Sequence, residues 1–358
     1  MEQKQAAQEK KLSMGWFIPT HGDRSSFAAD AEVKFSLDHF EKVAKAAEDA
    51  GFEYALVPTT KDCWDAWIIA TYLAARTEKL KMLVALKPGF VQPVALAKMV
   101  ATFDQIAGGG RCLINLIAGQ SAADAKAEGQ PESKETRYEQ LAEEVELLKR
   151  LTTEESVKFD GKFHHLDHPK VVPNRTGCPP FYLGGGSEFA AEISAKHSST
   201  HLFWGDYPER IATQIKEMRE RASRYGRENE LQFAMRLQII CRETEAEAWD
   251  HAHQLVANAH GRKEYMDGNR TGFDSAANNR QRELASVKDH MLTPHLWSGI
   301  SDVRTGSGVA VVGNPDQVAG QLREFIDAGC SGFCLSGFPH DQEAEIFGRH
   351  VMPLLMKR

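Results

Sequence analysis

The sequence predicts a single (β/α)8 TIM barrel carrying two insertions. Three observations predict it. Short apolar runs rich in β-formers recur eight times, each followed by a longer amphipathic stretch, which is the pattern of alternating strands and helices. Several runs are almost continuously apolar, as strands buried on both faces are. The chain has 358 residues, enough for one large barrel, with 42% hydrophobic and 26% charged residues.

In chain order, residues 1–13 form a polar tail without an apolar core of signal-peptide length, and residues 14–358 are expected to form one domain. The runs are MGWFIP (14–19), EYALVP (53–58), LKMLVALKP (80–88), CLINLIAG (112–119), PPFYLGGG (179–186), HLFWGD (201–206), LQFAMRLQIICR (231–242) and GFCLSGF (332–338). Between the first two, LDHFEKVAKAAEDAG (37–51) puts Phe40, Val43, Ala46 and Ala47 on one helical face, and Gly51 can close its end. SKETRYEQLAEEVELLKRL (133–151) opens on a capping-box-like Ser133. VKFDGKFHHL (157–166) reads as a hairpin turning at Asp160-Gly161. Residues 260–308 are polar, rich in Gly, Asn and Arg, and too long for an idle connector. A disordered insert is one reading. An active-site lid is the other, and Arg262, Arg270, Arg280, Arg282 and Arg304 suit a lid over an anion.

The totals exclude several classes. Lys and Arg number 43 against 50 Asp and Glu, a net charge of −7 that argues against a nucleic-acid binder. No run of 18 apolar residues is present, so no membrane span is expected. The six cysteines are scattered, as in a cytoplasmic protein with reduced thiols. No HExxH or GxSxG occurs, so neither a metal site nor a serine hydrolase is expected.

Catalytic groups of such barrels lie at the C-terminal ends of the strands. Those positions carry His21, Cys63, Asn115, Ala118, the Gly184–Ser187 turn, Trp204, Arg236, Gln238, Phe338 and His340, with Asp23, Asp62 and Asp65 the nearby acids. Alone, His21 is an ordinary turn residue, Trp204 a core aromatic and Cys63 an inert thiol. Arg236 is less easily dismissed. It sits inside FAMRLQII, where a guanidinium needs an anion or a wet cavity, and Gln238 shares its face. The glycines before SEFAAEISAKH leave bare backbone N–H groups and Ser187 at a helix start, which suits a phosphate.

WFIPTHGD, VPTTKDCWDAW, LVALKPG, TRYEQ, FYLGGGS, FWGDYPE, MRLQIICRET, VRTGSGVAVVG and LSGFPH occur in that order over roughly 14–355. Together they resemble the alkanesulfonate monooxygenases, within the bacterial-luciferase-like flavin enzymes. The resemblance implies a two-component oxygenase that takes reduced FMN from a separate NAD(P)H-dependent reductase. It would use O2 to cleave the C–S bond of a small anionic organosulfonate, giving an aldehyde and sulfite. It implies that His21, Cys63, Trp204, Arg236, Arg304 and His340 line the flavin and substrate site, with Arg304 on a mobile lid. Tyr138 and Ser187, with the Gly185 and Gly186 backbone, would hold the FMN phosphate, and Asn115 and Ala118 the rest of the cofactor. A homodimer or homotetramer is the implied assembly.

Two positions depart from that pattern. Gln238 stands where relatives have a histidine and Phe338 where they have a tyrosine, and neither is an acid or base near neutrality. IAGQ likewise lacks a hydroxyl before its glycine. These departures keep open a flavin monooxygenase of another substrate, such as a sulfone or an N-heterocycle, and a flavin-binding protein without turnover. They also give His21 added weight as a proton carrier.

Overall fold

The computed structural model of the chain describes residues 12–27, 32–33, 36–119, 121–130, 133–168, 176–257, 259 and 275–356. Among these, eight parallel strands close a barrel. They are β1 (Ser13–Phe17), β2 (Tyr54–Val57), β3 (Lys81–Leu86), β4 (Cys112–Leu116), β5 (Phe181–Gly184), β6 (Thr200–Trp204), β7 (Gln232–Cys241) and β8 (Gly332–Ser336). Each pairs with its neighbours in sequence, and β1 pairs with β8 to close the ring. Every one falls on a predicted run.

The surrounding helices are α1 (Leu37–Asp49), α2 (Ala66–Ala74), α3 (Pro93–Ile106), α4 (Ala122–Ala127), α5 (Lys134–Thr153) and α6 (Glu188–His197). They continue with α7 (Pro208–Ser223), α8 (Glu245–Val256), α9 (Ala276–Ala285), α10 (Pro315–Asp327), α11 (His340–His350) and α12 (Met352–Met356). The local signals act as expected. Ser36 caps α1 by accepting from the His39 amide, and Gly51, at φ 88°, turns the chain so that the Phe52 amide reaches Ala47 O at 3.0 Å. Ser133 caps α5 in the same way.

Alternation along the strands fills the lumen with Phe17, Tyr54, Leu56, Leu83, Leu113, Tyr182, Leu202, Ala234 and Cys334. Gly15 makes room for the largest of these. A Cβ on Gly15 would lie 2.1 Å from the Tyr54 ring. The other strand faces pack against the helices in one continuous core.

The hairpin forms as read, with Val157–Asp160 antiparallel to His165–His168. The second insertion is described only in part. Residues 260–274, with Arg262 and Arg270, lie outside the described residues, as do 1–11 and Gln120. The rest, 275–308, is built structure: α9, then Met291–Thr293 antiparallel to Leu296–Trp297. Leu296–Trp297 pairs in turn with Ala310–Gly313, a strand beyond the insertion that was not among the eight runs. That strand joins the upper half of β7, Gln238 to Cys241, so the sheet grows outward from the barrel rim beside Gln238. Among the described residues no helix is long and apolar enough to cross a membrane. All six cysteines are free.

Candidate active site

The rim holds two groups of side chains. The first is a cradle at the start of α6. Gly185 takes φ 137°, and a Cβ there would press on Ala190 at 3.2 Å and face the Tyr138 hydroxyl at 3.9 Å. Ser187 caps α6, accepting from the Ala190 amide and donating to the Tyr138 oxygen at 3.4 Å. The Tyr138 ring stacks on Phe189 at 5.8 Å. The first amides of a helix have no partner within it, and those of Glu188 and Phe189, at the start of α6, border the cradle. Ala118 contributes backbone only: its carbonyl accepts from Arg137 Nε at 2.7 Å. Asn115 is on the luminal face of β4, opposite Tyr182 of β5.

The second group sits in the upper lumen. Arg236 is 4% exposed, and its guanidinium lies 4.7 Å above the Phe17 ring. It donates to Leu237 O at 2.9 Å, Cys334 O at 3.3 Å and Ser336 Oγ at 2.8 Å. Among the described residues no carboxylate pairs with it. Burial lowers its pKa, yet it stays a cation. Ser336 Oγ passes its own proton to Gln238 Oε1 at 2.6 Å, and Gln238 Nε2 donates to Ser307 O at 2.9 Å. Ser307 O also accepts from Arg304 Nη1 at 3.1 Å, and Ser307 Oγ donates to Arg236 O at 2.6 Å. Gln238 does share the luminal face with Arg236, but it is fully buried and its amide is bonded at both ends.

His21 opens to solvent at the rim although protein surrounds most of it. Desolvation, then the positive fields of Arg304, His340 and Arg24, pull its pKa down to about 3. A lowered pKa makes His21 a weaker base than an ordinary imidazole. Cys63 lies in the loop after β2, 3.2 Å from Thr60 Oγ1, and the next amide, Trp64, bonds Thr20 O beside His21. Phe338 packs edge-on against Phe27 and His340, each at 5.0 Å, with the Arg304 guanidinium 5.8 Å from its ring. Trp204 ends β6, half-buried, below Gly306.

Helix α9 spans the two groups. Ala276 lies over Gly186, Asn278 Oδ1 accepts from the Gly306 amide at 3.4 Å, and Gln281 bridges Gly205 O and the Gly308 amide. Arg280, counted above among arginines awaiting an anion, instead grips Asp206 with two bonds of 2.7 and 2.8 Å. Arg282 bonds Asn279. Asp206, Ser307, Ser336, Asn278 and Gln281 were missed from sequence. Only Ser336 had a signal, its place between β8 and Phe338. Among the described residues no group of three His, Cys, Asp or Glu could hold a metal.

Comparison with known proteins adds two findings. The family model for luciferase-like monooxygenases matches residues 12–332. The fold matches EDTA monooxygenase (EmoA) from Chelativorans sp. BNC1 with a TM-score of 0.79 at 18% identity, over 97% of this chain and 94% of that one. It matches riboflavin lyase (RcaE), solved with modified FMN and riboflavin, at 0.81 and 19%, over 98% and 92%. Long-chain alkane monooxygenase (LadA) gives 0.78 and 18%, over 98% and 92%.

Proposed function

The chain belongs to the luciferase-like monooxygenase family, and on that premise we propose that it is an FMNH2-dependent oxygenase that cleaves the C–S bond of a small organosulfonate with O2. The observation that carries the reading is the buried Arg236, which no carboxylate among the described residues pairs with. A guanidinium is costly to bury unpaired, and a sulfonate is a permanent anion with three acceptor oxygens that fits it.

The cradle suits the phosphate of FMN. The Tyr138 hydroxyl and the start of α6 border it, and a side chain at Gly185 would crowd it. Bound there, reduced FMN would supply the electrons that activate O2. The chain's own residues do the rest. Arg236 meets the anion from inside the lumen, and Arg304, held by Ser307, meets it from the rim. Trp204 and Phe338 wall the space and limit water. Helix α9, bridging cradle and rim, is placed to close over both. Reduced flavin would come from a separate reductase.

The assay combines FMN, a flavin reductase, NADH and O2 with a panel of sulfonates and reads sulfite and aldehyde. Sulfite release from one of them is expected, and its absence across the panel alongside tight FMN binding sinks the sulfonate reading. A second substrate class, sulfones or N-heterocycles, is favoured by one observation: the Gln238 amide is closed at both ends and offers the substrate nothing. Turnover of those compounds without sulfite would select it.

A further inference from the structure

The sequence reading treated Asp23 only as a nearby acid, yet it is the best-satisfied charge at the rim. Its side chain is fully buried. Oδ1 accepts from His340 Nδ1 and from the Arg24 amide, both at 2.8 Å. Oδ2 accepts from His39 Nε2 at 2.8 Å and from the His340 amide, the first of α11, at 3.0 Å. Burial alone would raise the Asp23 carboxyl. The charge and hydrogen bonds of His340, with that of His39, outweigh burial and hold it well below the usual carboxylate range.

An ionised carboxylate only accepts, so each histidine must turn an N–H towards it. That fixes two tautomers: His39 carries its proton on Nε2 and His340 on Nδ1. The remaining nitrogen of His340, Nε2, is turned away from Asp23. The ring stands 5.7 Å from Phe17 and 5.0 Å from Phe338, the aromatics that also hold Arg236 and Arg304. Trp16 Nε1, donating to His340 O at 3.0 Å, fixes its backbone from the barrel wall.

We propose that Asp23 is a positioning residue, presenting His340 Nε2 as the base of a proton step at the barrel mouth. The step rests on the function proposed above. A carbon hydroxylated beside the sulfonate collapses when its O–H proton is removed. The O–H electron pair becomes the second C=O bond, and the C–S pair leaves with sulfite. An N–H bond forms at Nε2, and Asp23 stays ionised and balances the imidazolium. The charged and titratable groups around the ring are Asp23, His21, Arg304 and Arg24, with His39 behind Asp23 and the Lys42–Asp341 pair one residue along α11.

The test begins with imidazole 15N NMR of the wild-type protein, assigned with a His340→Gln variant. Neutral His340 is expected with its proton on Nδ1, and a proton on Nε2 overturns the proposal whatever the substrate proves to be. In the sulfite assay, Asp23→Asn should lower kcat about 100-fold with KM within about twofold, and Asp23→Glu should recover part of the loss. The acid limb of the kcat profile should move to lower pH, because the imidazolium has lost its counter-charge. FMN affinity, read by fluorescence quenching, should stay within about twofold. Altered KM and FMN affinity with an unmoved acid limb would show Asp23 to be merely structural. If Asp23→Asn does not fold, the wild-type tautomer decides. If no sulfonate yields sulfite, the substrate reading fails while the tautomer still judges the positioning.

Discussion

At the scale of single residues, the rim works by saturating some polar groups and placing others to meet the cofactor. Gln238 is saturated: its amide joins Ser336 on β8 to Ser307, whose carbonyl also holds Arg304. Truncating it would leave the buried Ser336 O–H without its acceptor, at a cost of about 1–3 kcal/mol. Gln238→Ala should therefore lower the unfolding free energy in urea by at least that much. It should also raise KM for an anionic substrate through the loosened Arg304, and wild-type stability would show that the network is not formed. Tyr138 is placed to meet the cofactor instead, its hydroxyl lying beside Ser187 Oγ and facing the cradle over Gly185. Hydrogen bonds to charged groups are worth about 1.5–3 kcal/mol, so Tyr138→Phe should weaken FMN binding roughly ten- to a hundredfold. An unchanged fluorescence titration would move the phosphate elsewhere.

At the scale of elements, α9 decides how the rim is covered. Arg280 on α9 and Arg210 on α7 both reach the buried Asp206, and Gln281 and Asn278 stitch α9 to the strand and loop beneath. Arg280→Ala leaves Asp206 with Arg210 at 3.2 Å, so the fold survives while the helix loosens. Hydrogen exchange should then speed up in 275–285 and stay unchanged in β6 and β7; uniform protection would mean that Arg280 does not hold the helix. The eight barrel strands were legible because burial on both faces writes itself as uninterrupted apolar runs. Arg236 and Gln238 were legible because period-2 alternation placed both on one face of β7. Ala310–Gly313 was not: AVVG looks like any buried strand, and nothing local says that it extends the sheet at the rim. The Asp23–His340 contact was not legible either, since 317 residues separate the pair and only closure of β1 against β8 brings them together. Arg280 misled because a polar, arginine-rich insert does not reveal which carboxylate the fold will supply.

Over the whole molecule, the same economy of charge that shapes the rim sets how the fold answers to acid. Three further histidines are held neutral by their surroundings. Burial, then the Lys149 ammonium at 3.1 Å, pulls His197 down to about 3. Burial alone takes His201, bonded to Ser194, to about 4, and burial with Arg242 takes His251 to about 4. In the unfolded chain each would titrate near 6.5. Between about pH 4 and 6.5 the unfolded state therefore binds up to three more protons at these sites, and stability must fall as the pH falls through that window. Two buried carboxyls act the other way. Burial pushes Glu343 up to about 7 against the pull of Arg242, and burial raises Glu144, so both hold protons in the fold that they release on unfolding above about pH 4.5. Glu343 offsets one of the three histidine protons, so the histidines set the sign of the slope. Urea unfolding from pH 6.5 to pH 5 should therefore show decreasing stability, and His201→Gln should remove about one proton's worth of that slope. A stability that is flat or rises on acidification would mean that the buried histidines are charged in the fold, and with them the reading of His21 as a weakened base would fall.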